Sequence, residues 1–213
     1  VQASQFVEAQ PLLRRSVEFM RRLRMSETRE FSLVVYYMAR SHVEQRQFKE
    51  AVPLLLEVIA VRRKLLGPDH DLIAEGLTDC ATVLERVGRH SEAEPLLAEA
   101  AEMRRRLNGG DHPRVAALLD RVGTVRESLG DFPGAAASWS DALSMRRRLY
   151  GDGDHPDVAS SLNSLGVAMY FMGRFDESER YLRDALAMRQ RMFNGDNELV
   201  ATSLSNLATL LVR

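Results

Sequence analysis

The feature that most constrains the fold of this 213-residue chain is an internal repeat of 42 residues. A ring-bearing residue marks the repeat at five places: Phe6, Phe48, His90, Phe132 and Phe175. The apolar residue that opens each basic run has the same spacing: Phe19, Val61, Met103, Met145 and Met188. The single step of 43 residues places one extra residue within Gly151–Asp154. A repeat of this length is typical of solenoids, in which each unit buries its apolar face against its neighbours.

Each repeat predicts two helices. The first is clearest at 156–174, where Leu162, Leu165 and Met169 have the spacing of one helix face. The second follows at 175–193. Small residues recur at one place in the first helix, where they would let the partner helix approach: Ala39, Ala81, Gly123, Gly166 and Ala208. Glycines are expected to end the first helices: Gly88, Gly130 and Gly173. The prediction is an all-α chain of about ten helices.

The repeats divide the chain into a single predicted solenoid domain. Its segments are a half repeat at 1–26, full repeats at 27–69, 70–111, 112–154 and 155–196, and a terminal half repeat at 197–213. The chain begins at Val1 without a methionine, and both end helices carry apolar residues that lack a partner helix. We therefore expect either a segment of a longer protein or end-to-end stacking on another copy.

Three motifs carry a resemblance to a known family. They are Gly-Arg-Phe-Asp-Glu-Ser-Glu at 173–179, Gly-Arg-His-Ser-Glu-Ala-Glu-Pro at 88–95, and the Asp-His-Pro linkers. Together with the 42-residue period, they resemble tetratricopeptide repeats of the kinesin-light-chain type. The resemblance implies a right-handed superhelical solenoid of antiparallel helix pairs, with the first helices lining a concave groove. It also implies binding of a protein or peptide partner. The paired asparagines of the light-chain pattern are half kept, at Asn163 and Asn206, so the resemblance implies the fold and not the cargo.

Composition excludes several classes of function. The formal net charge is −1, which gives no field that would favour nucleic acid or an anionic membrane. No apolar run is long enough to span a bilayer, and the N-terminus lacks the pattern of a signal peptide. The single cysteine, Cys80, fits a reducing compartment, so we expect a cytoplasmic location. We find no catalytic motif and expect no enzyme activity, no cofactor and no metal.

Two recurring motifs have both a chemical and a structural interpretation. The basic runs, such as Arg104-Arg105-Arg106, could bind phosphates or could end helices at the negative pole of the macrodipole. The pairs Asp111-His112 and Asp154-His155 could bind a metal or could cap the next helix. We favour the structural interpretation for both motifs, since no aromatic residues interleave the arginines and equivalent residues of successive repeats lie too far apart to share one ion. Cys80 and Trp139 are predicted core residues.

The predicted partner site is the groove face of the first helices. Its predicted residues are Tyr36, Arg40, Glu75, Thr78, Thr82, Glu85, Asp120, Thr124, Glu127, Asn163, Tyr170, Ser205 and Asn206. Short polar side chains there could hydrogen-bond a peptide backbone. The acidic residues in the middle of the groove predict an extended, neutral-to-basic segment as the partner. The alternative function is a structural, regulatory or self-assembling segment of a larger protein, for example one that is fused to a kinase or NTPase domain.

Overall fold

The computed structural model describes residues 2–151, 153–193 and 196–213, and within them the chain forms ten α-helices and no strand. The helices are α1 (Gln2–Arg22), α2 (Arg29–Glu44), α3 (Phe48–Leu66), α4 (Asp71–Arg86), α5 (His90–Leu107), α6 (Pro113–Ser128), α7 (Phe132–Tyr150), α8 (Pro156–Phe171), α9 (Phe175–Met192) and α10 (Glu198–Leu211). The predicted all-α fold of antiparallel helix pairs is confirmed. Even-numbered helices are the first helices of their repeats, and odd-numbered helices are the second.

The helices group into two compact units, Val1–Leu107 with α1–α5 and Asn108–Arg213 with α6–α10. Inside each unit every helix packs against the next one along the chain. The first unit has a core around Phe31, Val35 and Val58. The second has one around Trp139, Leu162 and Leu165. The division into repeats at the boundaries given above stays a prediction.

Histidine and glycine set the helix ends. His70, His112 and His155 have extended backbones, and the Nδ1 of each accepts a hydrogen bond from the backbone N–H two residues later. Asn197 caps α10 in the same way. Gly88, with φ of 74°, follows α4 in a left-handed conformation that suits glycine. The predicted start of the first helices is confirmed, with histidine and not aspartate as the cap. The predicted position of the extra residue, within Gly151–Asp154, includes Asp152, which lies outside the described residues.

Small residues allow close packing of the helix pairs, as the sequence predicts. A Cβ added at Gly123 would lie 2.5 Å from Nε1 of Trp139, and one at Gly166 would lie 2.7 Å from Cδ2 of Leu182. Trp139 is 2% exposed, and its indole N–H donates to the carbonyl oxygen of Asp120 at 3.2 Å. Cys80 is fully buried. Both residues are confirmed as core residues.

The basic runs have a role that the helix-end explanation does not cover. In four of the five runs, the last cation pairs with an acidic residue 37 positions earlier in the chain: Lys64 with Glu27, Arg106 with Asp69, Arg148 with Asp111, and Arg191 with Asp154. Each of the three arginines makes a two-pronged contact with its aspartate. In each Asp-His pair, therefore, the histidine caps the next helix and the aspartate pairs with an arginine of the following repeat.

Candidate functional site

A groove runs between the first helices α2 and α4 of the first unit. It holds a cavity of about 350 Å³. Four of the predicted site residues line it: Tyr36, Arg40, Glu75 and Thr82. The sequence prediction did not include the other main polar lining residues, which are Glu44, Asp79 and Arg86. The cavity therefore has three carboxylates and two guanidinium groups in its wall.

A polar network fixes one end of this groove. The hydroxyl of Tyr36 donates to Oδ2 of Asp79 at 2.9 Å. Burial, reinforced by this bond, raises the pKa of Tyr36 to about 12, so the hydroxyl keeps its proton at neutral pH. The Arg62 guanidinium lies 5.0 Å from the centre of the Tyr36 ring. Burial lowers the pKa of Arg62, and the nearby Glu75 opposes that effect. These side chains are therefore held in place before any partner arrives.

Two arginines of the cavity lie over aromatic rings. The guanidinium carbon of Arg40 is 5.6 Å from the centre of the Phe6 ring, and that of Arg86 is 5.9 Å from the centre of the Phe48 ring. Such cation–π contacts orient a guanidinium and leave its hydrogen-bond donors available. Arg40 and Arg86 can therefore bind backbone carbonyls of a partner.

A second cavity in the first unit has Arg62 among its lining residues. It has a volume of about 310 Å³ and a mainly apolar wall. Leu33, Leu65 and Leu72 line it, and these side chains are 50%, 38% and 42% exposed. Leu33 stands at a place in the repeat where the sequence elsewhere has Glu75, Ala117, Ser160 or Thr202. The apolar cavity is therefore a local feature and not a consequence of the repeat.

The groove threonines already use their hydroxyl protons within their own helices. The hydroxyl of Thr78 donates to the Ala74 carbonyl at 2.7 Å, and that of Thr124 donates to the Asp120 carbonyl at 3.1 Å. Thr82 donates likewise to the Thr78 carbonyl at 2.8 Å. These bonds to the preceding turn are common for threonine in a helix. The threonine hydroxyls thus offer a partner acceptor lone pairs, while their protons are already used.

Asp120 in the second unit is not the open groove acid that the sequence predicts. Its Oδ2 pairs with Nη2 of Arg146 at 2.5 Å, and Arg146 is 4% exposed. Burial raises the pKa of Asp120, and the arginine opposes that rise. The long side chain of Arg146 reaches Asp120 from α7, a contact between helices that inspection of α6 by itself could not reveal. The Asp120 charge is therefore compensated internally. Glu127 is partly buried, and burial raises its pKa.

Asn163 and Asn206 are brought together in the second unit. Nδ2 of Asn206 donates to Oδ1 of Asn163 at 3.1 Å. Tyr36 has the same place in its repeat as Asn163, three residues before the small residue. Asp79 has the same place as Asn206, two residues before the small residue, and Tyr36 and Asp79 are likewise hydrogen-bonded. This shared position is the sequence signal that could have identified Asp79. The remaining predicted residues are Tyr170, whose ring packs edge-on against Phe175, partly buried Glu85 and exposed Ser205.

Buried arginines of the second helices were also missed as site residues. They are the first arginines of their basic runs: Arg62, Arg146 and Arg189. Each donates to a backbone carbonyl in the first turn of the next helix, at Leu72, Asp157 and Leu199 respectively. All three are about 95% buried or more. Their charge therefore lies among the helices and not in a surface stripe that could bind phosphate.

Other kinds of site find no support in the described parts of the chain. Within residues 2–151, 153–193 and 196–213, no group of three or more His, Cys, Asp or Glu side chains could hold a metal ion. Burial raises the pKa of the Cys80 thiol to about 11, which keeps it protonated at neutral pH. No helix in the portion searched has the length and apolar character to cross a membrane.

Comparison with known proteins agrees with this architecture. No curated protein matches the sequence. A solved structure described as a kinesin light chain of Podosopora anserina with nearly identical TPR-like repeats is 22% identical, with a TM-score of 0.74, and covers 91% of this chain and 92% of its own. BtubC (BKLC) from P. vanneervenii is 24% identical, with a TM-score of 0.69, and covers 97% of this chain and 83% of its own. These likenesses establish the fold.

The family follows from the sequence match. The model of the tetratricopeptide repeat matches residues 31–106, 81–148, 123–191 and 157–213. These overlapping matches cover the chain from the start of α2 to its last residue. The repeated helix pairs and the small residues between them are features that such repeats share. The chain belongs to the tetratricopeptide repeat family.

Proposed function

We propose that this chain is a non-catalytic scaffold that binds an extended segment of a partner protein in the groove between α2 and α4. The observation that carries the proposal is the cavity of about 350 Å³ with its fixed polar wall. Tetratricopeptide repeats typically use such a surface for binding proteins. Binding groups that are ordered in advance reduce the entropy cost of association. The Tyr36–Asp79 hydrogen bond and the Arg62–Tyr36 contact provide that order.

The charges of the groove favour a neutral-to-basic segment. Glu44, Glu75 and Asp79 line the cavity together with Arg40 and Arg86, and Arg62 lies close enough to Glu75 and Asp79 to interact with both. In the described residues, neither Glu44 nor Glu75 forms an ion pair with a basic side chain. The second, mainly apolar cavity could take an aliphatic side chain of the same segment, since four of its eight lining residues are leucines. We therefore expect a partner segment with a lysine or arginine and an aliphatic residue.

The test is binding of an array of extended peptides with graded charge. We expect the highest retention for peptides of positive charge, and about tenfold weaker binding of the selected peptide to Glu75→Gln, because a charge-assisted hydrogen bond is lost. Glu50→Gln and Lys49→Ala change exposed residues of α3 in the same unit and serve as matched controls. A preference for acidic peptides, or equal losses in the α3 controls, would contradict the proposal.

The location and assembly of the chain are part of the same proposal. The single, buried cysteine fits a cytoplasmic protein, where thiols stay reduced. End-to-end self-association is favoured by apolar side chains left uncovered on α1 and α10. Leu12 and Phe19 are 67% and 53% exposed, and Leu204 and Leu211 are 47% and 58% exposed. Light scattering should detect association that weakens in Leu204→Ser/Leu211→Ser. A monomer at all concentrations would exclude it.

A further inference from the structure

Arg189 on α9 is a buried cation without a counter-ion in the described ranges. It is 4% exposed. Its Nη1 donates to the Leu199 carbonyl at 2.9 Å and to Oγ of Ser203 at 2.6 Å. Its Nε is buried without an acceptor, and no carboxylate of residues 2–151, 153–193 or 196–213 pairs with it. Burial alone lowers its pKa, with no contribution from a neighbouring acid.

Arg146 occupies the same place one repeat earlier and does have a counter-ion. Its Nη1 donates to the Asp157 carbonyl at 3.3 Å and to Oγ of Ser161 at 2.5 Å, the same pair of partners that Arg189 has one repeat later. Its Nη2 also pairs with Oδ2 of Asp120 at 2.5 Å. The residue at the place of Asp120 in the next repeat is Asn163. An amide therefore stands where the equivalent site has a carboxylate.

This substitution leaves a charge imbalance at Arg189. A buried guanidinium loses hydration, and only a charged acceptor compensates fully for that loss. The buried Arg62 of the first unit also has acids close enough to raise its pKa, Glu75 and Asp79. Arg189 has neutral acceptors only. An incoming carboxylate would therefore bind more strongly at Arg189 than at Arg62 or Arg146.

Asn163 has the place in its repeat from which Asp120 reaches Arg146, and together with Asn206 it supplies hydrogen-bond donors there. Oδ1 of Asn163 accepts from Asn206 at 3.1 Å, so the orientation of both amides is set. Nδ2 of Asn163 donates to no acceptor in the part of the chain that the structure describes. Asn163 is only partly buried, so an external group can approach it. A carboxylate could accept from this amide and from the guanidinium together.

We infer that Arg189, Asn163 and Asn206 form a subsite for one carboxylate side chain of a partner. The subsite replaces the internal aspartate of the preceding repeat with an aspartate or glutamate from outside. This inference rests on the proposed function only in that the bound partner supplies the carboxylate. It belongs to the second unit and is separate from the groove between α2 and α4.

The arginine Nε–Hε signal of Arg189 in the full chain reports directly on this subsite. We would label arginine with ¹⁵N, assign the signal with Arg189→Lys, and titrate with acetyl-Gly-Glu-Gly-amide. The matched probe is the same peptide with glutamine, and inorganic phosphate is the third probe. Asn163→Asp is the decisive variant, because it places beside Arg189 the carboxylate that Asp120 supplies in the preceding repeat. It also keeps an acceptor for Asn206.

The glutamate peptide should move the Arg189 signal with a Kd about tenfold lower than that of the glutamine peptide, because the ligand charge strengthens the hydrogen bond. In Asn163→Asp the Arg189 signal should already be shifted before any peptide is added, and it should not respond to the glutamate peptide. Equal responses to both peptides, no response to either, or a stronger response to phosphate would overturn the inference. Loss of binding in Glu75→Gln reports on the α2–α4 groove, and the Arg189 signal reports on the second unit, so failure of one proposal is distinguishable from failure of the other.

Discussion

Single side chains at equivalent places in this repeat take different roles according to their partners. Three arginines that open a basic run, Arg62, Arg146 and Arg189, are buried and bind the start of the next helix, as Arg146 binds the Asp157 carbonyl. Arginines that close a run stay exposed and pair with an aspartate, as Arg148 pairs with Asp111. Two positions along a helix separate these residues, which turns one toward the interior and the other toward solvent. One basic run thus contains a buried arginine that binds a backbone carbonyl and an exposed arginine that forms an ion pair.

The first prediction at this scale concerns the histidine caps. His112→Ala should lower the free energy of unfolding by about 1 kcal/mol, because the Arg114 N–H loses its acceptor. His112→Asn should retain most of the stability, since Asn197 already caps α10 in the equivalent place. Urea unfolding followed by circular dichroism measures both variants. Equal losses in the alanine and asparagine variants would exclude the capping role.

A second prediction uses the pKa of Cys80. The thiol ionises at about 11 in the folded chain and at 9.0 in the unfolded chain, so the folded state holds the proton more tightly between these values. Stability is therefore present below pH 9 and falls as the pH rises toward 11. This group should account for about 2 kcal/mol of the loss between pH 7.5 and pH 10.5. Urea unfolding of wild type and Cys80→Ala at both pH values tests it: the alanine variant should lose less, and parallel losses would contradict the assignment.

At the scale of helix pairs, packing depends on matched small and large residues. Gly123 faces Trp139, while Ala81 and Leu97 occupy the same two places one repeat earlier. A methyl group at Gly123 would lie within 2.8 Å of three atoms of the indole ring. A glycine in the middle of a helix is normally unfavourable. Trp139 therefore leaves no room for a methyl group at position 123.

Gly123→Ala should destabilise the second unit by about 1–2 kcal/mol, because the clash exceeds the gain of about 1 kcal/mol in helix propensity. Trp139→Leu alone should also destabilise it through a cavity and the lost bond to Asp120. The double variant recreates the Ala81–Leu97 pair and should be more stable than the sum of the single changes. A double-mutant cycle measures this coupling, and strictly additive losses would contradict the packing argument.

The sequence predicts the elements better than the site. The 42-residue period, the glycines after the first helices and the Asp-His linkers are local signals, and ten helices appear where they indicate. The site depends on contacts between helices. Asp120 is compensated by Arg146 from another helix, and the Thr124 hydroxyl bonds to its own helix. Residue type and helix face do not reveal such partners, whereas Asp79 could have been found from its place in the repeat.

At the scale of the whole molecule, one ion pair recurs twice in each unit. Lys64–Glu27 and Arg106–Asp69 lie in the first unit, and Arg148–Asp111 and Arg191–Asp154 lie in the second. These pairs are exposed, so salt screens them and each contributes little alone. Their regular recurrence links each second helix to the linker before its first helix.

Acid should weaken these pairs. Hydrogen bonds from Arg106 and Arg191 hold the pKa of Asp69 and of Asp154 below the usual value of 3.8. The stabilisation is therefore present at neutral pH and is lost as the pH falls through the lowered pKa values. Thermal unfolding at pH 7 and pH 3 should show a smaller acid-induced drop for Asp69→Asn/Asp154→Asn than for wild type. An equal drop would mean that the pairs do not contribute.

The central claim is that a partner segment occupies the groove between α2 and α4. Hydrogen–deuterium exchange of the chain with and without the best peptide of the array tests it most directly. The account predicts slower exchange in α2 and α4, around Tyr36, Arg40 and Glu75, and loss of that protection in Glu75→Gln. Protection confined to the second helices α3 and α5, with α2 and α4 unchanged, would contradict it.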